Sequence, residues 1–349
     1  MTCLPQMDLR ELTTLRVGGA PRELLSPETP DELVSASLGV WASGEEWMAL
    51  GGGSNIVVGD DGFDGSVIRV LTRGIESLPS APGTARLRVQ AGEPWDELVS
   101  YTVDRGLAGI EAMAGIPGSS GAGPIQNIGA YGQELSDTLV AVEFLDHESG
   151  RLEVIPADRL ELGYRSSVFK SGRRGVVLSI ELELTDTEGL SRPVASQQLA
   201  TAIGAAFGDR IPVGVIRDAV LALRRVKGMV LDASDPDTTS AGSFFTNPLV
   251  AASFARTLPP DAAQWPIEPD RVKLSAAWLI ERAGIGRGFS LPGSGAAISS
   301  KHTLAIVNTG AATASDILEL ARFVQERVRN EFGVALQPEP GYIGMPAED

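Results

Sequence analysis

Short apolar runs bounded by glycine, proline and polar residues alternate along the chain with a few longer amphipathic stretches. Helical spacing predicts a helix from Pro30 to Val40. It is followed by the apolar strand Trp47 to Leu50, the loop Gly51-Gly52-Gly53-Ser54-Asn55 and a strand from Ser66 to Leu71. Past the Pro/Gly-rich break Ser80 to Thr84, a strand Ala85 to Gln90 leads into a helix whose Trp95, Leu98, Val99 and Thr102 share one face. Partial alternation predicts antiparallel strands at Leu139 to Leu145, Leu152 to Ile155 and Val176 to Leu184. After the polar segment Thr185 to Gln198, helical patterns return at Val213 to Arg225 and at Lys273 to Ala283, the latter stopped by Gly284.

The last helix has the clearest signals. Thr313 with Asp316 three residues on forms a capping box, Ile317, Leu320, Ala321, Val324 and Val328 form an apolar stripe, and Gly333 ends it. Beyond it, Pro338 and Pro340 hold the segment around Glu339 extended. These elements divide into three expected domains: 1–77 joined by the tail 332–349, then 78–208, then 209–331. The pattern is that of a loop-rich α/β or α+β enzyme.

Length and charge narrow the picture. A chain of 349 residues exceeds a single compact core. With 45 acidic and 29 basic side chains its net charge is −16, which repels nucleic acid and anionic membranes, so an anionic ligand must be held by local cations or backbone N–H groups. The single cysteine, Cys3, excludes an internal disulfide and a cysteine-based metal site; no metal is expected. Neither a membrane-spanning run of roughly 20 apolar residues nor a signal-peptide pattern is present, so a cytoplasmic location is expected.

Several segments carry possible chemistry. Gly51 to Asn55 follows a strand, and its glycines let backbone N–H groups converge on a phosphate, although taken alone a plain tight turn is the simpler reading. Gly115 to Gly132 lacks charge and holds six glycines, yet it carries apolar and amide side chains that a spacer does not need. It reads as an ordered loop against a flat cofactor. Within it Tyr131 serves packing or binding equally well. Gly163 to Lys170 sets Arg165 among aromatics and hydroxyls, where a guanidinium either grips a carboxylate or forms a surface ion pair. Ser243 precedes two phenylalanines outside any nucleophile-elbow pattern, and the two histidines, His147 and His302, lack the spacing of a hydrolase base. His147 reads as part of a solvated turn, while His302 suits the core edge or a ligand equally.

Taken in order, the blocks Thr13 to Gly19, Gly51 to Asn55, Ile116 to Gly132, Gly163 to Lys170, Ala241 to Pro248 and Leu336 to Glu339 resemble those of the UDP-N-acetylenolpyruvoylglucosamine reductase (MurB) family over almost the whole chain. The resemblance implies an α+β vanillyl-alcohol-oxidase/PCMH-type FAD-binding fold, with two α+β subdomains holding noncovalent FAD and a C-terminal α+β substrate domain. It implies NADPH-dependent reduction of UDP-N-acetylglucosamine enolpyruvate in peptidoglycan precursor synthesis. Arg165, Ser243 and Glu339 take the catalytic positions. Gly51, Gly52, Gly53, Ser54 and Asn55, with Gly118, Ser119, Ser120, Gly121, Asn127, Gly129 and Ala130, take the FAD positions, and Tyr131, Arg224, Lys227, Asn247 and His302 the substrate positions. Neither nucleic acid nor membrane insertion is implied; oligomeric state is open, with a monomer favoured.

The chain departs from the longer subclass of that family at one place. Where that subclass carries a tyrosine that clamps the substrate nucleotide, this sequence has Pro193-Val194-Ala195-Ser196-Gln197-Gln198-Leu199, with Ser196 in the tyrosine's place. Weaker nucleotide binding is the expected result. A flavin oxidase of the same fold and a noncatalytic nucleotide-binding relative are the alternatives. The intact Arg165, Ser243 and Glu339 set argues against both.

Overall fold

A computed structural model describes residues 7–345; Cys3 and the last residues of the expected tail domain lie outside the described residues. The chain divides into two compact units. One comprises described residues 7–21, 53–63 and 227–345, and the other 22–52 and 64–226.

The second unit carries helices α1 (Pro30–Ser43), α2 (Trp95–Val103), α3 (Gln197–Ile203) and α4 (Val213–Val226). Thr29 accepts from the Glu32 N–H in a reciprocal capping box, and Gly44 in the left-handed conformation closes α1. Trp47–Leu50 runs parallel to Phe63–Arg69 with Trp47 opposite Ser66, and Phe63–Arg69 is the central strand of a three-stranded sheet.

The larger sheet has the order Leu152–Pro156, Leu139–Asp146, Gly175–Asp186, Thr84–Gln90, Ile75–Leu78, all neighbours antiparallel. Its alternation buries Val142, Phe144, Ile180, Leu182, Leu87 and Val89. The face expected for α2 is the one that is buried: Trp95, Leu98, Val99 and Thr102 are each at most 1% exposed.

His147 differs from its expected solvated setting. It is half-buried, with its ring 5.0 Å from Trp41 and 5.2 Å from Trp47, while the Arg174 guanidinium lies 5.0 Å above Trp47. Two tryptophans from separate segments supply apolar ring faces that local turn chemistry could not reveal.

The first unit carries α5 (Ala252–Ala255), α6 (Ala276–Arg282) and α7 (Ala314–Phe332). It is organised by α7, whose predicted stripe is wholly buried against Leu15, Val17, Val57, Phe244 and Phe245. Thr313 and Asp316 form the expected capping box, and Asp60 accepts from the Ala314 and Ser315 N–H groups at the same end. The helix expected from Lys273 begins only at Ala276, as α6. Ser275 caps it by accepting from the Trp278 N–H at 3.2 Å, and Lys273 and Leu274 instead end the strand Arg271–Leu274, which pairs with both Leu249–Ala251 and Gln264–Glu268. Ala296–Ile298 pairs with Ile306–Asn308, and Gly341–Ile343 runs parallel to Ile56–Val58. Among the described residues no helix is long and apolar enough to cross a membrane.

Candidate functional site

In the second unit two glycine-rich segments meet backbone to backbone. A Cβ on Gly52 would stand 2.6 Å from Gly118 Cα, which only glycine tolerates. The Gly118 carbonyl accepts from Trp95 N, and the Ser120 and Gly121 N–H groups donate to the carbonyls of Glu93 and Ala91 at 2.8 Å. Those two N–H groups therefore anchor the loop instead of facing an anion. The Ser120 hydroxyl is buried without a hydrogen-bond partner. A buried, unmatched hydroxyl beside two close-packed glycine segments fits a polar cofactor group that would accept from it or donate to it.

Arg165 stands in a left-handed conformation at φ 55°, as do Asn127 at φ 47° and Tyr131 at φ 49°. Three such non-glycine residues on neighbouring loops mark backbone held by its surroundings. Arg165 Nη1 donates to the Asn127 carbonyl at 3.2 Å and Nη2 to the Gly129 carbonyl at 2.9 Å, so the plane of the guanidinium is fixed. Asn127 is 1% exposed, and its amide spans Glu134, Ser136 and the Gly163 carbonyl while accepting from Ser136 N. It ties the glycine-rich loop to the arginine loop.

Gly129–Ala130 pairs with Gln133–Glu134 around Tyr131 and Gly132, both at positive φ, which is the twist a two-residue hairpin turn requires. Tyr131 stands at the tip. Burial lifts its phenol above the ordinary value, opposed by the charge of Arg224 near the end of α4. Burial likewise pushes the Arg224 guanidinium down, opposed by Tyr131 and Asp96. Elsewhere in this unit Ser196 caps α3, accepting from Leu199 N at 3.3 Å.

In the first unit the Ser243 loop and the C-terminal tail are laced together. Thr246 N donates to Gln337 O at 3.0 Å, Glu339 N donates to Phe244 O at 2.9 Å, and Phe245 bridges Pro338. Ser243 and Glu339, distant in sequence, thus sit on paired segments. Asn55 joins them, its Nδ2 donating 3.3 Å to the Glu339 carbonyl. Asn247 Oδ1 accepts from Ala276 N at 2.9 Å, fixing that amide at the start of α6.

His302 lies in a loop organised by Asp237, a residue that sequence reasoning did not single out. The Asp237 carboxylate accepts from Ser299 Oγ at 2.6 Å and from Ser300 N and Oγ at 2.7 and 2.6 Å; Ser299 Oγ in turn accepts from His302 N. Burial raises its pKa, but the hydrogen bonds from Ser299 and Ser300 and the Lys301 charge outweigh burial and hold the carboxyl below its usual range. The Asp-Pro-Asp run around Asp237 offered only a turn signal. Among the described residues no group of His, Cys, Asp and Glu is arranged to hold a metal ion.

Comparison with known proteins follows these two groupings. Residues 21–155 match the model of an FAD binding domain, and residues 235–343 match that of the UDP-N-acetylenolpyruvoylglucosamine reductase C-terminal domain. A protein named UDP-N-acetylenolpyruvoylglucosamine reductase from Leifsonia xyli is 54% identical, covering 97% of this chain and 98% of the relative. One of the same name from Saccharopolyspora erythraea is 47% identical over 95% of this chain and 93% of the relative. The crystal structure of UDP-N-acetylenolpyruvylglucosamine reductase from Thermus caldophilus is similar at a TM-score of 0.65 and 28% identity, covering 97% of this chain and 98% of that one.

Proposed function

The chain belongs to the UDP-N-acetylenolpyruvoylglucosamine reductase family, an FAD-dependent oxidoreductase family, and from that premise we propose how its own residues divide the reduction of the enolpyruvyl ether between them. FAD, when bound, would supply hydride-transfer chemistry, with NADPH as its reductant. The Gly51 to Asn55 loop, the Gly118 and Ser119 backbone and the Ser120 hydroxyl hold that cofactor, with Gly129 and Ala130 beside them. Asn127 serves by bracing the loop.

As the vinyl carbon is reduced, negative charge builds next to the substrate carboxylate. Arg165 stabilises that charge with a guanidinium already fixed by two carbonyls, so little reorganisation is needed when the charge appears. Glu339 hydrogen-bonds the carboxylate or orients its partner. Ser243 Oγ gives its proton to the carbon bearing the carboxylate; a carbanion is basic enough to accept from an alcohol. Tyr131, Arg224, Lys227, Asn247 and His302 hold the nucleotide sugar. The neutral phenol of Tyr131 and the cationic Arg224 suit a phosphate or carboxylate between them.

The observation that supports the residue assignments is the pairing of the Ser243 loop with the Glu339 tail, which sets a hydroxyl-bearing residue and a carboxyl-bearing one on adjacent hydrogen-bonded segments. A cytoplasmic, monomeric enzyme of cell-wall precursor synthesis, with a role in cell division, follows from this reading. Its three domains would be 1–77 with 332–349, 78–208 and 209–331.

The test separates the two half-reactions in Ser243→Ala. NADPH should still bleach the flavin, while reoxidation by the enolpyruvyl nucleotide is lost. Bleaching and nucleotide-dependent reoxidation that both survive would sink Ser243 as donor.

A further inference from the structure

The Thr13 to Gly19 segment carries no role in the assignments above, yet within the first unit it touches both the cofactor loop and the proton-donor loop. Thr14 N donates to Gly53 O at 3.1 Å, and Thr14 Oγ1 donates to Ser240 O at 2.7 Å. These bonds close a circuit. From Gly53 the path runs through Thr14 to Ser240, along the chain past Ser243 to Phe244, by hydrogen bond to Glu339 N, and from the Glu339 carbonyl to Asn55 Nδ2, two residues from Gly53.

The neighbouring contacts leave few other ways to arrange these loops. Gly53 has φ +60° and a Cβ there would come within 3.0 Å of Thr13 Cα, so the turn and the Thr13-Thr14 backbone are packed without room for a side chain. Asn308 Nδ2 donates to the carbonyls of Leu15 and Arg16 at 3.2 Å, anchoring the far side of the segment. On the other loop, Gly242 N donates to Ser240 Oγ and Phe244 N to Leu304 O, which leaves Ser243 between two pinned residues. Ser243 is itself half-buried.

We propose that Thr14 is a positioning residue that holds the Ser243 loop in register with the Gly53 to Asn55 loop, so that proton delivery stays aligned with the bound cofactor. Its backbone fixes the cofactor side and its hydroxyl the donor side. The hydroxyl is the part a mutation can remove alone. The proposal rests on Ser243 as proton donor and on Gly53 to Asn55 as a cofactor loop.

The experiment compares Thr14→Val, Thr14→Ala and Thr14→Ser with the parent. It reads hydrogen exchange of the amides of 240–244 in flavin-free and flavin-loaded protein, and it reads the two half-reactions by stopped flow. Removing one hydrogen bond and leaving the Ser240 carbonyl unmatched should raise exchange in this segment about tenfold in both forms for Val and Ala. The same variants should slow reoxidation by the enolpyruvyl nucleotide about tenfold while flavin bleaching by NADPH stays within about twofold, and Ser should restore both readouts.

Unchanged exchange, equal slowing of both half-reactions, or no rescue by Ser would overturn the proposal. Ala is read beside Val so that an overpacked methyl cannot decide the outcome. Survival of nucleotide-dependent turnover in Ser243→Ala would instead overturn the donor assignment, and leaves the exchange result to judge the Thr14 tether by itself.

Discussion

Arg165 Nη2 donates 2.9 Å to the carbonyl of Gly129, the residue that opens the hairpin presenting Tyr131. The arginine is therefore set by the same backbone that positions a proposed substrate contact. A lysine keeps the charge but cannot hold two carbonyls in a fixed plane. Arg165→Lys should lower nucleotide-dependent turnover by about 10²-fold, with flavin bleaching by NADPH nearly unchanged. Rapid-mixing absorbance at the flavin band measures both.

Gly52 approaches Gly118 too closely for any side chain. Gly52→Ala should move one loop off the other and weaken flavin binding by about tenfold or more, equivalent to about 1.4 kcal/mol. Flavin fluorescence on titration into stripped protein gives the constant; an unchanged value would separate this packing from cofactor binding.

Asp237 makes stability pH-dependent in one direction. Its folded pKa lies below the ordinary aspartate value of 3.8, so the charged form contributes stability above that value, and the contribution is lost as pH falls through the lower, folded value. Asp237→Asn should cost about 1.5 to 3 kcal/mol at neutral pH, because an amide cannot accept all the bonds the carboxylate does. The variant should also lose less further stability than the parent as pH falls from the ordinary aspartate value of 3.8 through the lower, folded one. Urea midpoints across that range decide it.

Ser196 caps a helix, whatever stands at the corresponding place in relatives. Ser196→Ala should cost about 1 kcal/mol of stability while leaving nucleotide affinity as it was. Calorimetric titration beside a melting curve distinguishes this from a substrate contact, for which affinity would fall and stability hold.

What could be read from the chain was what local physics specifies. Thr313, Asp316 and Gly333 bracket α7 because caps act within one turn, and the stripe from Ile317 to Val328 faces the core at 3.6-residue spacing. The antiparallel strands around Leu139–Asp146 followed from alternation. Lys273 and Leu274 belong to a strand and not to the expected helix, because a four-residue strand and a helix start look alike in apolar pattern and only Ser275 marks the border. Partners were the least legible. Nothing local to Thr14 points to Ser240, nor does anything in Asp237 point to Ser299 and Ser300; those bonds join segments whose proximity the sequence does not encode as pattern.

The parallel pairing of Ile56–Val58 with Gly341–Ile343 bears on the order of assembly. On a ribosome, the second unit has all its strands and helices once residue 226 has emerged and can begin to fold as a unit. The early strand Ile56–Val58 must wait, with its edge unpaired, until Gly341–Ile343 has been made. A nascent chain stalled short of Gly341 would expose that edge to other chains, so sewing the tail beside an early loop brings a long interval of aggregation risk during synthesis.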